Sequence, residues 1–283
     1  MNRIDAIRLS LPGSGAAAIL ITSPVNRLFA TGFASSDGAL LVTERDAWFF
    51  TDSRYEEAAR SSVLNAEVRL VTRDDPYTGQ IKAIIDGCGI DSVGFEDGAF
   101  TYPKYLEWNE KLETKLVPSQ KLLDDLRAVK SVGDIAKMKE AQRIAEKSFE
   151  GILPLISTDI TERQLAAELI CRMLKNGADD KSFDPIVVSG EKTSMPHGTP
   201  EDRKIRNGFL TIDFGVKLDG WCSDTTRTLC VGKPDGEMAH VYETVLSIHV
   251  CFMRSLDAFR MCWCVNCEET LSARSFGIHN IVV

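Results

Sequence analysis

Up to about Leu122, short apolar runs alternate with longer amphipathic segments. Ile4, Ile7 and either Leu9 or Leu11 line one side of a helix predicted over residues 1–11, which Pro12-Gly13 stops. Ala16–Thr22 reads as a strand. Ala39–Thr43 and Ala47–Thr51 read as a hairpin around Glu44-Arg45-Asp46, and Ser53–Ser62 reads as a helix. Val68–Thr72 and Ser92–Phe95 are further predicted strands, and Pro76–Asp86 and Tyr102–Leu112 further helices. This alternation predicts an α/β domain built on a largely parallel or mixed sheet. No glycine-rich phosphate loop follows any of these strands, so a nucleotide site has no support.

From Leu122 the rhythm becomes helical. Leu122–Ala128 and Gly133–Phe149 carry Ile135, Met138, Ala141, Ile144, Ala145 and Phe149 on one stripe of the second segment. A domain boundary is expected near Arg127–Lys130. Glu162–Lys175 is a helix that opens with Thr161 and Gln164 at capping-box spacing and closes on Gly177. Pro185–Gly190 is a strand, and a polar loop with Pro196-His197-Gly198-Thr199 follows it. A last helix starts near Gly236 and carries Met238, Val241, Val245 and Leu246. The expected organisation is an N-terminal domain over 1–126, a second α+β part over 127–246 and a tail over 247–283.

Between the loop and that last helix, Asn207–Gly232 contains two strand-like runs rich in Val, Ile, Thr and Phe, with Asp219-Gly220 between them. Each run carries one aspartate, Asp213 and Asp224. A turn centred between Leu218 and Asp219 sets these two directly opposite each other, with Cβ atoms roughly 4.5–5.5 Å apart. Alternation sends Thr211, Asp213, Cys222, Asp224, Thr226 and Thr228 to one polar face. Leu210, Ile212, Phe214, Val216 and Trp221 go to the other, which suits a core. Two carboxylates that close repel unless one is protonated or a cation lies between them. Oxygen donors suit a divalent Mn, Mg or Zn ion. The plainer alternative is two solvated aspartates on an exposed hairpin, and a solvated loop residue is the plainer reading of His197.

Composition narrows the classes. The 283 residues are 44% hydrophobic and 26% charged, as in globular proteins, and the formal net charge of −8 argues against nucleic acid or an anionic membrane as partner. No apolar run reaches membrane-spanning length, and the short run Ala16–Ile21 makes a poor signal peptide, so a cytoplasmic protein is expected. Of the eight cysteines, Cys88, Cys171, Cys222 and Cys230 are scattered and read as buried thiols of a reducing compartment. Cys251, Cys262, Cys264 and Cys267 cluster near the end.

Several motifs together resemble a known family. Asn26-Arg27-Leu28, Thr31-Gly32-Phe33, Ser36-Asp37-Gly38-Ala39 and Phe50-Thr51-Asp52-Ser53-Arg54-Tyr55 are similar to the N-terminal domain of proline-specific metallopeptidases. That group includes Xaa-Pro aminopeptidase and prolidase, and creatinase shares its architecture. Arg127–Ser131 with the helix after it, Ser189-Gly190, His197-Gly198, Ile212-Asp213-Phe214-Gly215 and Ser223-Asp224-Thr225-Thr226-Arg227-Thr228 resemble the first half of the "pita-bread" catalytic domain. The resemblance implies that Asp213 and Asp224 are two of five ligands of a dinuclear Mn, Zn or Co centre, and that His197 contacts substrate. It implies hydrolysis of the bond between an N-terminal residue and a following proline in a peptide, and it leaves a homodimer open.

The resemblance stops at about Ser247. The family's remaining ligands, one histidine and two glutamates, have no recognisable counterpart here, and His249, Glu268, Glu269 and His279 lack the family's surrounding residues. Three readings of the tail stay open: a frameshifted or read-through end, a real segment whose Cys262, Cys264 and Cys267 bind zinc or copper, or packed thiols. Impaired or absent activity is therefore expected. The alternatives are a non-catalytic peptide-binding or dimerisation protein on the same fold and a creatinase-like hydrolase.

Overall fold

The computed structural model describes residues 2–258. The tail cysteines Cys262, Cys264 and Cys267, with Glu268, Glu269 and His279, lie outside the described residues. Contacts divide the chain into two compact units, one ending at Lys130 and the other beginning at Ser131.

The first unit is a mixed sheet covered by helices. In chain order it runs α1 (Arg3–Ser10), β1 (Ala18–Ile21), α2 (Pro24–Thr31), β2 (Ala39–Thr43), β3 (Ala47–Thr51), α3 (Glu56–Ser62), β4 (Glu67–Leu70), α4 (Tyr77–Cys88), β5 (Ser92–Phe95), α5 (Tyr102–Leu112), β6 (Lys115–Pro118) and α6 (Gln120–Ala128). The sheet order is β4-β3-β2-β1-β5-β6. Pairings β1–β2 and β2–β3 are antiparallel, and the other three are parallel. Strands β1, β2 and β3 are buried on both faces, which explains their continuous apolar runs. Ile19, Leu40 and Phe49 face Ile4 and Ile7 of α1, Ala59 of α3 and Leu123 of α6. Leu20, Leu41 and Phe50 face Ile81 and Ile85 of α4 and Leu112 of α5.

Two elements of the first unit go beyond the sequence expectation. The first is α2: Ser23 caps it by accepting from the Asn26 N–H, Pro24 sits in its first turn, and Gly32 ends it in the left-handed region at φ 73°. The second is β6, whose Pro118 is tolerated because the strand lies at the sheet edge. In α1 the apolar face uses Leu11, which is buried, whereas Leu9 points to solvent. The predicted buried thiols are corrected. Cys88 and Cys222 are exposed and Cys171 and Cys230 half-buried, all free. Cys88 ends α4 beside its left-handed Gly89 cap, and Cys222 follows the polar side of its hairpin.

The second unit contains α7 (Val132–Ile152), α8 (Glu162–Lys175), β7 (Asp180–Lys181), β8 (Ile186–Ser189), β9 (Gly208–Phe214), β10 (Val216–Leu218), β11 (Trp221–Cys222), β12 (Thr225–Val231) and α9 (Gly236–Ala258). Reciprocal capping boxes open α7 through Ser131 and Asp134 and α8 through Thr161 and Gln164. Strands β12-β9-β8 form one antiparallel sheet, and β11-β10-β7 form a second. Ile144 and Phe149 of α7 and Leu165 and Leu169 of α8 pack on Ile212 and Phe214 of β9, and the rings of Phe149 and Phe214 stack with centroids 5.4 Å apart. Burying a side chain such as Phe214 stabilises by about 2–3 kcal/mol. This packing fixes which face of β9 is left for Asp213. Among the described residues no helix is long and apolar enough to cross a membrane.

Candidate metal centre

The hairpin forms, but its register differs from the expected one. Asp213 opposes Thr226, and Phe214 opposes Thr225. In the continuation, Leu218 opposes Trp221 and Lys217 opposes Cys222. The cause is the turn. Asp219 and Gly220 both take left-handed backbone, at φ 50° and 80°, so they are the two central residues of a tight turn. A turn centred between Leu218 and Asp219 would have forced Leu218 into that region, which a bulky side chain resists. The directly opposed Asp213–Asp224 pair is thus corrected to a diagonal pair. Because the shift is by two residues on the partner strand, both aspartates stay on the same face.

That face is the polar one. The hydroxyls of Thr211 and Thr228 lie 3.2 Å apart across it. Thr226 Oγ1 donates to Asp213 Oδ1 at 2.8 Å, which orients that carboxylate from the opposite strand. Asp213 is half-buried and Asp224 exposed, while Leu210, Ile212, Phe214 and Val216 are buried on the other face. Although Asp224 is exposed, loss of hydration against the hairpin, and then the charge of Asp213, push its carboxyl up. A neighbouring cation would act against both causes, since an opposite charge favours the ionised carboxylate.

Strand β12, which follows Asp224 directly, is tied to α7. Thr225 is buried and donates to Gln142 Oε1 at 2.9 Å, and Gln142 donates in turn to Glu146 at 2.9 Å. Arg227, also buried, donates to the Thr226 carbonyl at 3.0 Å and faces Glu146 at 4.0 Å. Gly215 holds the junction between β9 and β10. A Cβ there would lie 2.0 Å from the Ser223 carbonyl oxygen and 2.1 Å from Ser182 Oγ. The Ser182 hydroxyl donates to that carbonyl at 2.7 Å.

His197 is exposed at the tip of a turn closed by the Gly198 N–H donating to the Met195 carbonyl at 3.0 Å. The described geometry does not bring it into one cluster with the two aspartates. Among the described residues no group of three or more His, Cys, Asp or Glu side chains is placed to hold a metal. Asp213 and Asp224 supply carboxylate oxygens, the donor type that a divalent ion takes, and two carboxylates do not by themselves make up a dinuclear centre.

A buried carboxylate that the sequence did not point to lies beneath the His197 loop. Glu162 is fully buried at the start of α8. It accepts from the Ser189 N–H at 2.8 Å, the Ser189 hydroxyl at 2.9 Å, the Glu201 N–H at 3.2 Å and Arg203 at 3.2 Å. Burial alone would raise its carboxyl, but these hydrogen bonds together outweigh burial and hold it below the usual range. Its stabilisation is therefore complete above the ordinary glutamate value of about 4.3 and is lost as pH falls through the lower folded value. Glu162→Gln has no such titration. The stability gap between wild type and Glu162→Gln, read as urea midpoints between about pH 7 and about pH 3, is expected to narrow on acidification. A constant gap contradicts this assignment. The only sequence cue was a glutamate right after the cap Thr161, a position that ordinarily faces solvent.

Comparison with known proteins places this geometry. The family model described as "Metallopeptidase family M24" matches residues 136–264, and the one described as "Creatinase/Prolidase N-terminal domain" matches residues 3–129. The peptidase YqhT of Bacillus subtilis is 35% identical over 245 residues, which cover 86% of this chain and 69% of that protein. The chain belongs to metallopeptidase family M24. Among solved structures, this M24 chain is similar to the Xaa-Pro dipeptidase from Bacillus anthracis, with a TM-score of 0.84 and 32% identity, covering 88% of this chain and 70% of the other. It is also similar to the X-Pro aminopeptidase from Thermotoga maritima, with a TM-score of 0.78 and 28% identity, covering 84% and 69%. The M24 fold is thus the expected one: a mixed-sheet α/β creatinase-like domain followed by part of a pita-bread domain.

Proposed function

We propose that this chain carries part of the site of a metal-dependent exopeptidase acting on peptides with proline in second position. Asp213 and Asp224 hold a divalent ion, manganese by preference, and His197 contacts the peptide. The observation that carries the reading is the pair of aspartates on the polar face of one hairpin in an M24 chain. Relatives named as an Xaa-Pro dipeptidase and an X-Pro aminopeptidase support the substrate class. A divalent ion in such a site polarises a carbonyl and acidifies water. The protein's own part is to orient Asp213 through Thr226, to tie the strand after Asp224 to α7 through Thr225 and Arg227, and to present His197 on a closed loop.

With two aspartates and no third ligand beside them among the described residues, binding is weak and turnover low. The test is a Mn²⁺ titration of the full chain read by electron paramagnetic resonance, with hydrolysis of Ala-Pro and Ala-Pro-Ala measured in parallel. Asp213→Ala is expected to weaken Mn²⁺ binding by more than about ten-fold, because a ligand is worth at least as much as its supporting partners. His197→Ala should leave Mn²⁺ binding unchanged and weaken the peptide. Mn²⁺ binding that survives both Asp213→Ala and Asp224→Ala overturns the site. Robust turnover abolished by Asp213→Ala overturns the low activity alone.

The second reading is a peptide binder that does not cut, favoured by the same lack of a third ligand. Saturable Ala-Pro binding by the Mn²⁺-loaded chain with no turnover decides for it.

A further inference from the structure

We infer that Glu162 is a positioning residue: its buried carboxylate clamps both arms of the loop that presents His197, and so sets how that histidine meets a peptide. The inference rests on the reading of His197 as the peptide-contacting residue, and the loop clamp itself is tested separately below.

The loop leaves β8 at Ser189 and returns toward β9 after Arg203. One oxygen of Glu162 holds the departing arm, through the N–H and hydroxyl of Ser189. The same oxygen accepts from Arg203 of the returning arm, and the other accepts from the Glu201 N–H. Arg203 also donates to the Ser189 carbonyl at 3.2 Å, which links the arms directly. Lys192 is the strut between them. Its ammonium lies 3.6 Å from Glu162, 2.8 Å from the Glu201 carboxylate and 2.6 Å from the Thr199 carbonyl. Residues 192–199 are thereby closed into a small loop with His197 near its tip.

The backbone repeats the clamp. The Glu162 and Arg163 N–H groups, which have no partner inside α8, donate to the carbonyls of Arg203 and Glu201, each at 3.0 Å. Gly198 presses on the strand beneath, where a Cβ would lie 2.9 Å from Val188 Cγ1. A carboxylate is the one side chain able to serve so many converging donors, since it only accepts. A glutamine would turn one N–H₂ toward donors, repelling at least one arm.

The experiment compares the full wild-type chain with Glu162→Gln, His197→Ala and the double variant. Hydrogen exchange reads the loop, and an Ala-Pro titration in Mn²⁺ reads the peptide. In Glu162→Gln, exchange over residues 190–204 is expected to rise about ten-fold while β9 and α7 keep their protection. Ala-Pro affinity is expected to fall about as far as in His197→Ala, with the double variant no weaker than His197→Ala alone, because the two residues act through one contact. Unchanged loop exchange overturns the clamp. Additive losses of affinity overturn the positioning of His197, since a general loss of structure would add to a lost contact. If Glu162→Gln unfolds the whole unit, Lys192→Met replaces it. That change removes only the strut, and the same two readouts apply with the same overturning results. If the wild-type chain binds no Ala-Pro, the functional reading fails, and loop exchange still decides the clamp.

Discussion

Gly215→Ala is expected to destabilise the second unit by about 3–4 kcal/mol and to displace Asp224 from Asp213. Overfilling a tight site costs about 1–3 kcal/mol where neighbours can yield. Here they yield poorly, because the nearest atom is the Ser223 backbone carbonyl, 2.0 Å from the added Cβ. The methyl also displaces Ser182, whose hydroxyl donates to that carbonyl and whose N–H donates to the Gly215 carbonyl at 3.0 Å. Losing such a bond adds about 1 kcal/mol. Against a total stability of about 5–15 kcal/mol this is a large fraction. The measurement is urea unfolding, with Gly220→Ala as reference. Gly220 needs its glycine for backbone conformation, at φ 80°, a cost of about 1–2 kcal/mol. If Gly215→Ala costs no more than Gly220→Ala, close approach is not what Gly215 provides. Since Ser223 precedes Asp224, Mn²⁺ binding should fall together with stability.

The same hairpin shows what can be read from sequence and what cannot. Alternation put Asp213 and Asp224 on one face, and a shift of two residues preserves the side of a strand. It could not place them opposite each other, because register depends on which residues occupy the turn. The cue existed: Asp-Gly is the preferred centre of a two-residue hairpin turn, and centring it there gives the observed pairing. Glu162 is different in kind. Its partners Ser189, Glu201 and Arg203 are distant in sequence, and no local pattern marks a charged residue at a helix start as buried.

In the first unit, periodicity found the strands with continuous apolar runs and the helices with a clear stripe. It missed α2, which at 8 residues is too short to repeat its apolar stripe, although Ser23-Pro24 and Gly32 are its start and stop signals. It missed β6 because four residues ending in proline carry little pattern; the strand exists through pairing with β5. Helix α9 shows the converse. Its Val241 and Val245 are apolar at helical spacing yet 46% and 40% exposed.

Glu96→Ala is expected to destabilise the first unit by about 4 kcal/mol or more, the largest single effect there. Glu96 follows β5 and is fully buried. One oxygen accepts from the N–H groups of Thr22 and Ser23, at 2.5 and 2.8 Å. The other accepts from the Ser23 hydroxyl and from Asn26 Nδ2 at 2.7 Å. These donors belong to the end of β1 and the first turn of α2, so one carboxylate fixes the strand-to-helix corner and sits at the positive end of the helix. Removing it leaves the two N–H groups and the amide of the buried Asn26 without this acceptor, at about 1–3 kcal/mol for each buried group left unsatisfied. A cavity at the corner adds to the loss. Glu96→Gln keeps the volume and one accepting oxygen but turns an N–H₂ toward donors, so it should fall between alanine and wild type. Hydrogen exchange in α2 and urea unfolding of the full chain read both variants. Early loss of α2 protection with β2 and β3 still protected is the expected order, because those strands are held by their own apolar packing. A cost below about 1 kcal/mol for Glu96→Ala would mean that water replaces the carboxylate freely, and that the corner is held by the α2 cap and by packing alone.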